Sequence, residues 1–261
     1  GDINLAKQLI DKATESGCNA VKFQKRDIDV VYSQEELDTP RKSPYGTTTR
    51  EQKNGIEFDI LEFQELEKYS VDSGLDFIVS CWDWNSLDVI EENLNVKYHK
   101  IASAMLTDKG FLEKLNDTGK PIIVSVGMAT EEEIDSALDI LDNVEYVLAC
   151  TSTYPTIPEE VNLKYITTLK NKYPNLKIGF SNHHNGLDAC VGSIVLGSEC
   201  VEFHITMDRT MYGSDQPASI EDADDLVGGI RKMELMVGDG VKKVYDSEKP
   251  IAEKLRKVND I

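Results

Sequence analysis

Short apolar runs of strand type alternate with amphipathic, helix-type segments from one end of the chain to the other. AVKFQ (20–24), DFIVSCW (76–82), YHKIAS (98–103), PIIVSVG (121–127), EYVLAC (145–150), KIGFSN (177–182) and VEFHIT (201–206) read as strands. Helical spacing marks 2–16, 58–73, 86–93, 108–116, 130–141, 162–172, 186–196 and 221–237. Strictly alternating strands and helices imply a parallel sheet, because each crossover must carry the chain back to the same edge. Several strands are apolar on both faces, as a sheet covered on both sides requires. Seven strands with a leading helix suggest a (β/α)8 TIM barrel whose first strand lies upstream of Gly1. No GxGxxG or GxxxxGK[ST] is present, which weakens a nucleotide-binding doubly wound sheet. The domain is expected to span residues 1–240. Residues 241–261 read as a charged tail, with a helix expected over 250–258. The polar stretch 27–57 reads as a long irregular loop, a feature usually functional in a compact domain.

A length of 261 residues suits one large domain. The net charge of −19 argues against nucleic acid or an anionic membrane as partner, since nothing offsets phosphate repulsion. No apolar run approaches the ~20 residues needed to span a bilayer, and no signal peptide is visible. The cysteines (18, 81, 150, 190, 200) are odd in number and form no CxxC, which suggests buried free thiols in a reducing cytoplasm. A thiolate nucleophile at Cys81 or Cys150 is the alternative, without a sequence partner to activate it.

In barrel enzymes the site forms at the C-terminal ends of the strands. The polar residues closing each apolar run are therefore the informative ones. They are Lys22 and Gln24, Ser80 and Cys81, Lys100 and Ser103, Ser125, Ser152 and Tyr154, Ser181 and His183, and His204. Small hydroxyls and lysines converging on one mouth suit a phosphate or carboxylate, although a lone serine at a strand end is an ordinary turn former. A lysine inside a strand needs an anion, from the protein or from a substrate, because burying it unpaired is costly. His183 and His204 close neighbouring strands. They read either as a two-imidazole site for one divalent metal or as separately satisfied wall residues. The loop after His204 offers Asp208, Arg209, Asp215 and Gln216, and one carboxylate there suits sugar hydroxyls. His99 and His184 have the wrong parity and should point away from the mouth.

Several stretches resemble the sialic acid (N-acetylneuraminate) synthase family, legionaminate and pseudaminate types included, over nearly the whole chain. They include GDINLAKQLIDKA, AVKFQKR, TPRKSPYGTTTREQ, YHKIASAMLTD, GKPIIVSVGMATEEEI, CTSTYPTIPEEVNL, GFSNHHNG, EFHITMDR with GSDQ, and GDGVKKVYDSE. The resemblance implies a (β/α)8 barrel that condenses phosphoenolpyruvate with an N-acetylated aldose, such as N-acetylmannosamine, and releases phosphate. It also implies a divalent metal on His183 and His204, manganese above magnesium or cobalt. Phosphoenolpyruvate would be held by Lys22, Lys100, Ser103, Ser125, Ser152 and Ser181, and the sugar would face Gln24, Tyr154 and Asp215. Lys22 and Lys100 join the two histidines as the expected catalytic residues. The family further implies a homodimer in the full-length protein, paired through a C-terminal antifreeze-like domain. That domain and a first-strand glutamate are not in this sequence. Met105 stands where several members carry glutamate, and Ser152 where some carry asparagine. These departures motivate a catalytically silent sugar-binding barrel as the rival reading. A metal-dependent hydrolase is the other, and it needs further metal ligands on other strand ends.

Overall fold

A computed structural model describes residues 1–256. The chain opens with α1 (Ile3–Glu15) and β1 (Ala20–Lys25), followed by α2 (Ile28–Val31), α3 (Gln34–Asp38), β2 (Pro40–Ser43), β3 (Gly46–Thr48) and α4 (Thr49–Ile56). Next come α5 (Ile60–Asp72), β4 (Asp76–Cys81), α6 (Trp84–Asn93), β5 (His99–Ile101), α7 (Lys109–Asn116), β6 (Ile122–Ser125), α8 (Glu131–Leu138) and β7 (Val144–Cys150). The chain continues with α9 (Pro158–Val161), α10 (Tyr165–Lys172), β8 (Lys177–Asn182), α11 (Asp188–Val195), β9 (Val201–Phe203), α12 (Ala223–Val237) and α13 (Lys249–Leu255). The seven expected strands form one parallel sheet in the order β1-β4-β5-β6-β7-β8-β9.

The sheet is curled but not closed: the seven expected parallel strands are present, and the eighth strand that would complete a barrel is not among the described residues. Among the described residues, β1 and β9 share no ladder. Side chains span the seam instead. Lys22 of β1 meets Glu202 of β9 at 2.8 Å, and Lys12 of α1 donates to the Thr206 carbonyl at 3.1 Å.

The stretch 27–57 is not an irregular loop. It holds three short helices and a hairpin, because its polar residues cap rather than solvate. Ser33 with Glu36 and Thr48 with Glu51 each form a reciprocal capping box, satisfying the amides that begin α3 and α4. A third such box, of Thr130 with Glu133, opens α8. The expected tail helix begins at Lys249; its end at Val258, and residues 257–261, lie outside the described residues.

Period two in the strands sorts the core into layers. Val79, Ile101, Val124, Val147, Ile178 and Phe180 face the helices and join the large outer core. Ile78, Ile123 and Leu148 share the opposite parity and form a small inner cluster, with Ala20, Tyr98, Tyr146 and Cys200 against it. Two residues further along the strands, the inner face turns polar at Lys22, Ser80, Lys100, Ser125, Cys150, Ser181 and Glu202. The apolar inner layer is thus a floor, and the polar layer above it is where a ligand can sit.

His99 has the outward parity and is buried between sheet and helices, 3.1 Å from Glu91 of α6. Burial pushes its imidazole below the ordinary range; Glu91 works against this and Lys120 works with it. A histidine that takes up a proton less readily folded than unfolded stabilises the fold above pH ~6.5, and that stability is lost as the pH falls below it. Denaturant melts of wild type and His99→Gln at pH 7.5 and 5.5 should show it. The wild type is expected to lose about 1 kcal/mol more than the variant over this interval. Equal losses would remove His99 from the acid response.

Candidate active site

The polar layer lines one pocket of about 560 Å³ at the C-terminal ends of the strands. Ten of the eleven site residues expected from sequence come together there: Lys22, Gln24, Lys100, Ser103, Ser125, Ser152, Tyr154, Ser181, His183 and His204. Asp215, the eleventh, borders it, with Oδ2 at 3.6 Å from His204 Nδ1. Ser80 faces the interior but spends its hydroxyl on the Lys100 carbonyl at 3.0 Å. Cys81 lies outside the pocket, and burial pushes its thiol far up, so the nucleophile reading fails there. Asp208 is held by the Thr210 amide and hydroxyl, both at 2.7 Å. Arg209 is tied to the carbonyls of Ser219 and Asn185.

Sequence reading missed Glu202, the group on which the lysines converge. Its carboxylate lies 2.8 Å from Lys22 Nζ and 3.5 Å from Lys100 Nζ. Lys100 also donates to Ser125 Oγ at 2.7 Å and to the Ile101 carbonyl at 2.9 Å. Burial pushes the Lys100 ammonium down, and Glu202 offsets this. Burial would raise the Glu202 carboxyl, but Lys100 and Lys22 outweigh it and hold it well below the carboxylate range. The buried lysines therefore have a protein anion. The signal was present: Glu202 precedes His204 by two residues, so both share the inner face. Trp82 and Met128 also line the pocket unanticipated. Met105 does not; it packs against the outer core.

Beside the lysines the serines form a cup. Ser103 Oγ accepts from the Gly127 amide at 3.0 Å, and the Cys150 thiol lies 3.7 Å from Ser103 Oγ and 3.8 Å from Ser152 Oγ. A Cβ on Gly127 would stand 2.2 Å from Ser152 Oγ and 2.8 Å from Ser103 Oγ. The hydroxyls converge only because position 127 has no side chain. Since misplacement near 1 Å at a reacting centre costs ~10²-fold, Gly127→Ala is expected to lower kcat/KM for phosphoenolpyruvate by about that factor. An unchanged value would show that the cup is not used.

His183 and His204 follow β8 and β9, with ring centroids 5.4 Å apart. His204 thus lies just past β9 rather than inside it. The Tyr154 ring lies over His183 at 4.1 Å and edge-on to His204 at 5.9 Å. His183 Nδ1 is 2.7 Å from the Thr151 carbonyl, an acceptor only, so Nδ1 carries the proton and Nε2 keeps a lone pair. Burial, then Lys22, pushes the His204 imidazole down to about 4, leaving it neutral at pH 7. The Cys150 contact at 3.7 Å, its charge and the Thr151 carbonyl lift His183 against burial, and His183 in turn lowers the thiol. Metal-bound histidines usually have the other ring nitrogen tied to a carbonyl or carboxylate. His183 fits that pattern through Thr151, while Asp215 stands 3.6 Å from His204 Nδ1, too far for a hydrogen bond. Among the described residues, no group of three His, Cys, Asp or Glu side chains stands at metal-holding distance. The pair therefore suits an open site completed by substrate and water, and the further ligands a hydrolase site needs are not found there. His184 turns away as expected, with Nδ1 bonded to the Thr156 carbonyl at 2.9 Å.

The sequence pattern of the NeuB family matches residues 9–242. The chain belongs to the NeuB family. It is 33% identical to human N-acetylneuraminate-9-phosphate synthase over 98% of this chain and 73% of that protein. It is 34% identical to the N,N'-diacetyllegionaminic acid synthase of Campylobacter jejuni, over 98% and 80%. The crystal structure of N-acetylneuraminic acid synthetase from Leptospira borgpetersenii, in complex with citrate, superposes with a TM-score of 0.84 at 29% identity, over 97% of this chain and 86% of that one. These relatives are synthases, and they favour neither a silent barrel nor a hydrolase.

Proposed function

We propose that this NeuB-family chain is a nonulosonate synthase that condenses phosphoenolpyruvate with an N-acetylated aldose, such as N-acetylmannosamine, and releases phosphate. The single observation that carries the reading is the juxtaposition of a Lys22–Lys100 anion site with an open imidazole pair in one pocket.

Lys22 and Lys100 offset the charges of the phosphoenolpyruvate carboxylate and phosphate, which otherwise repel one another. Ser103, Ser125, Ser152 and Ser181 donate to their oxygens. Gln24, Tyr154 and Asp215 orient the sugar so that its aldehyde carbon faces carbon 3 of phosphoenolpyruvate. The electron pair of the enol double bond forms the new carbon–carbon bond, and the aldehyde oxygen gains a proton. Water adds at carbon 2 and loses one proton; the carbon–oxygen bond to phosphate then breaks as the new hydroxyl gives its remaining proton to the departing phosphate, leaving the 2-keto acid. His183 and His204 would hold a divalent cation, manganese above magnesium or cobalt. When bound it supplies Lewis-acid polarisation of the aldehyde.

The remaining features of this reading concern the whole protein. An eighth strand completes the barrel between β1 and β9, residues 241–261 lead toward a C-terminal domain, and the full-length protein is a homodimer working in the cytoplasm. Among the described residues, no helix is long and apolar enough to cross a membrane.

The test is phosphate release from phosphoenolpyruvate with manganese, against a panel of N-acetylated six-carbon aldoses. Release that requires both sugar and metal is the expected result. Release without sugar would point to a phosphatase and overturn the reading.

A further inference from the structure

Arg26 does not line the pocket, yet it touches two residues that do. Its guanidinium stacks on the Trp82 ring at 4.1 Å, and its Nη2 donates to Gln24 Oε1. Period two places Gln24 and Arg26 on the same side of the chain, so the contact follows from β1 itself. Glu57 anchors the arginine from behind: its carboxylate lies 3.8 Å from Arg26 Nη1 and accepts from the Arg26 amide at 3.2 Å. Lys25 Nζ reaches the same carboxylate at 3.4 Å. Arg26 Nε and Trp82 Nε1 are buried and have no hydrogen-bond partner among the described residues. Two unsatisfied donors fit a residue retained for the geometry it imposes rather than for stability.

A guanidinium has only donors, so the amide atom it meets must be the oxygen. That fixes the direction of the Gln24 amide. With Oε1 occupied, the polar group Gln24 can offer the pocket is its –NH2, which makes no hydrogen bond to any described residue. We propose that Arg26 is a positioning residue that holds Gln24 amide-nitrogen first, so that the sugar must present an acceptor oxygen, such as an acyl carbonyl, at this wall. The inference rests on the synthase reading above. It adds the chemical polarity of one sugar contact and a residue outside the pocket that sets it.

The test uses the phosphate-release assay with the panel sugar turned over best. Sugar and phosphoenolpyruvate are varied in turn for wild type, Arg26→Met, Gln24→Ala and the double variant. Methionine keeps an apolar cover on Trp82 but cannot donate. Arg26→Met is expected to raise KM for the sugar about tenfold while leaving kcat and KM for phosphoenolpyruvate within about twofold, the signature of lost binding rather than lost chemistry. Gln24→Ala should raise the sugar KM at least as far, and the double variant should be no worse than Gln24→Ala alone, because contacting residues acting through one bond are not additive. Equal rises in both KM values, multiplied effects in the double variant, or an unchanged sugar KM would each overturn the proposal. Should Arg26→Met not fold, the cycle is run with Arg26→Lys, whose single ammonium cannot fork between Gln24 and Glu57. A smaller, non-additive rise supports the proposal and an additive one overturns it. A wild type that releases no phosphate with any sugar sinks the synthase reading and this inference together. An active wild type indifferent to Arg26 sinks the inference alone.

Discussion

His183→Ala is expected to remove manganese-dependent phosphate release almost entirely, with a fall in turnover of ~10³-fold, about 4 kcal/mol of barrier. The ring sits between Tyr154 on one face and the pocket on another, and its Nδ1 is already committed to the Thr151 carbonyl. Only Nε2 is left for a cation. Removing the ring leaves one imidazole, His204, which cannot hold a metal with the same affinity. The check is calorimetric titration with manganese alongside the assay. Wild type should bind one equivalent per chain and the variant none. A variant that keeps the wild-type metal requirement would mean that the imidazole pair has another purpose.

The second large effect concerns Glu202→Gln. Coulomb attraction across 2.8 and 3.5 Å at an effective dielectric near 20 is about 5 to 6 kcal/mol for each lysine, before the cost of desolvation. Desolvation takes back much of that, yet breaking a buried pair by deleting one partner still costs about 3 kcal/mol or more, because the other charges stay buried. Lys100 is only 4% exposed, so its ammonium stays largely desolvated without the carboxylate. A loss of about 3 kcal/mol in a chain of this size lowers the melting temperature by roughly 6–12 °C. KM for phosphoenolpyruvate should rise with it, since the two ammoniums lose the group that holds them together. Thermal melts followed by circular dichroism and substrate titration of the surviving enzyme test both parts. A melt within a degree of wild type would show that the two lysines do not depend on this carboxylate.

The α/β alternation was legible because each strand is a short apolar run bounded by polar turns, and each helix repeats its apolar residues every third or fourth position. The site residues were legible for a related reason: on the C-terminal half of nearly every strand, the inward parity carries a polar residue. Reading failed where function depends on distance across the sheet. Glu202 belongs to the last strand and its partners to the first and third, and no local pattern in VEFHIT announces which lysines it meets. Arg26 was passed over because it lies one residue beyond β1, where a charged side chain reads as solvated. The stretch 27–57 was misread because Ser, Thr and Glu at helix starts look like loop residues until their amide partners are placed.

The order of elements, the parity of each strand and the chemical types available at the strand ends follow from the amino-acid sequence alone, since they depend on periods of two and 3.6 residues along one segment. Three things were decided by tertiary structure: that the sheet curls far enough for β9 to bring Glu202 to Lys22, that Gly127 lets two serines meet, and that Tyr154 covers His183. These contacts join residues from 24 to 180 positions apart. Their geometry is set by strand twist and by packing against the helices, which no single segment encodes.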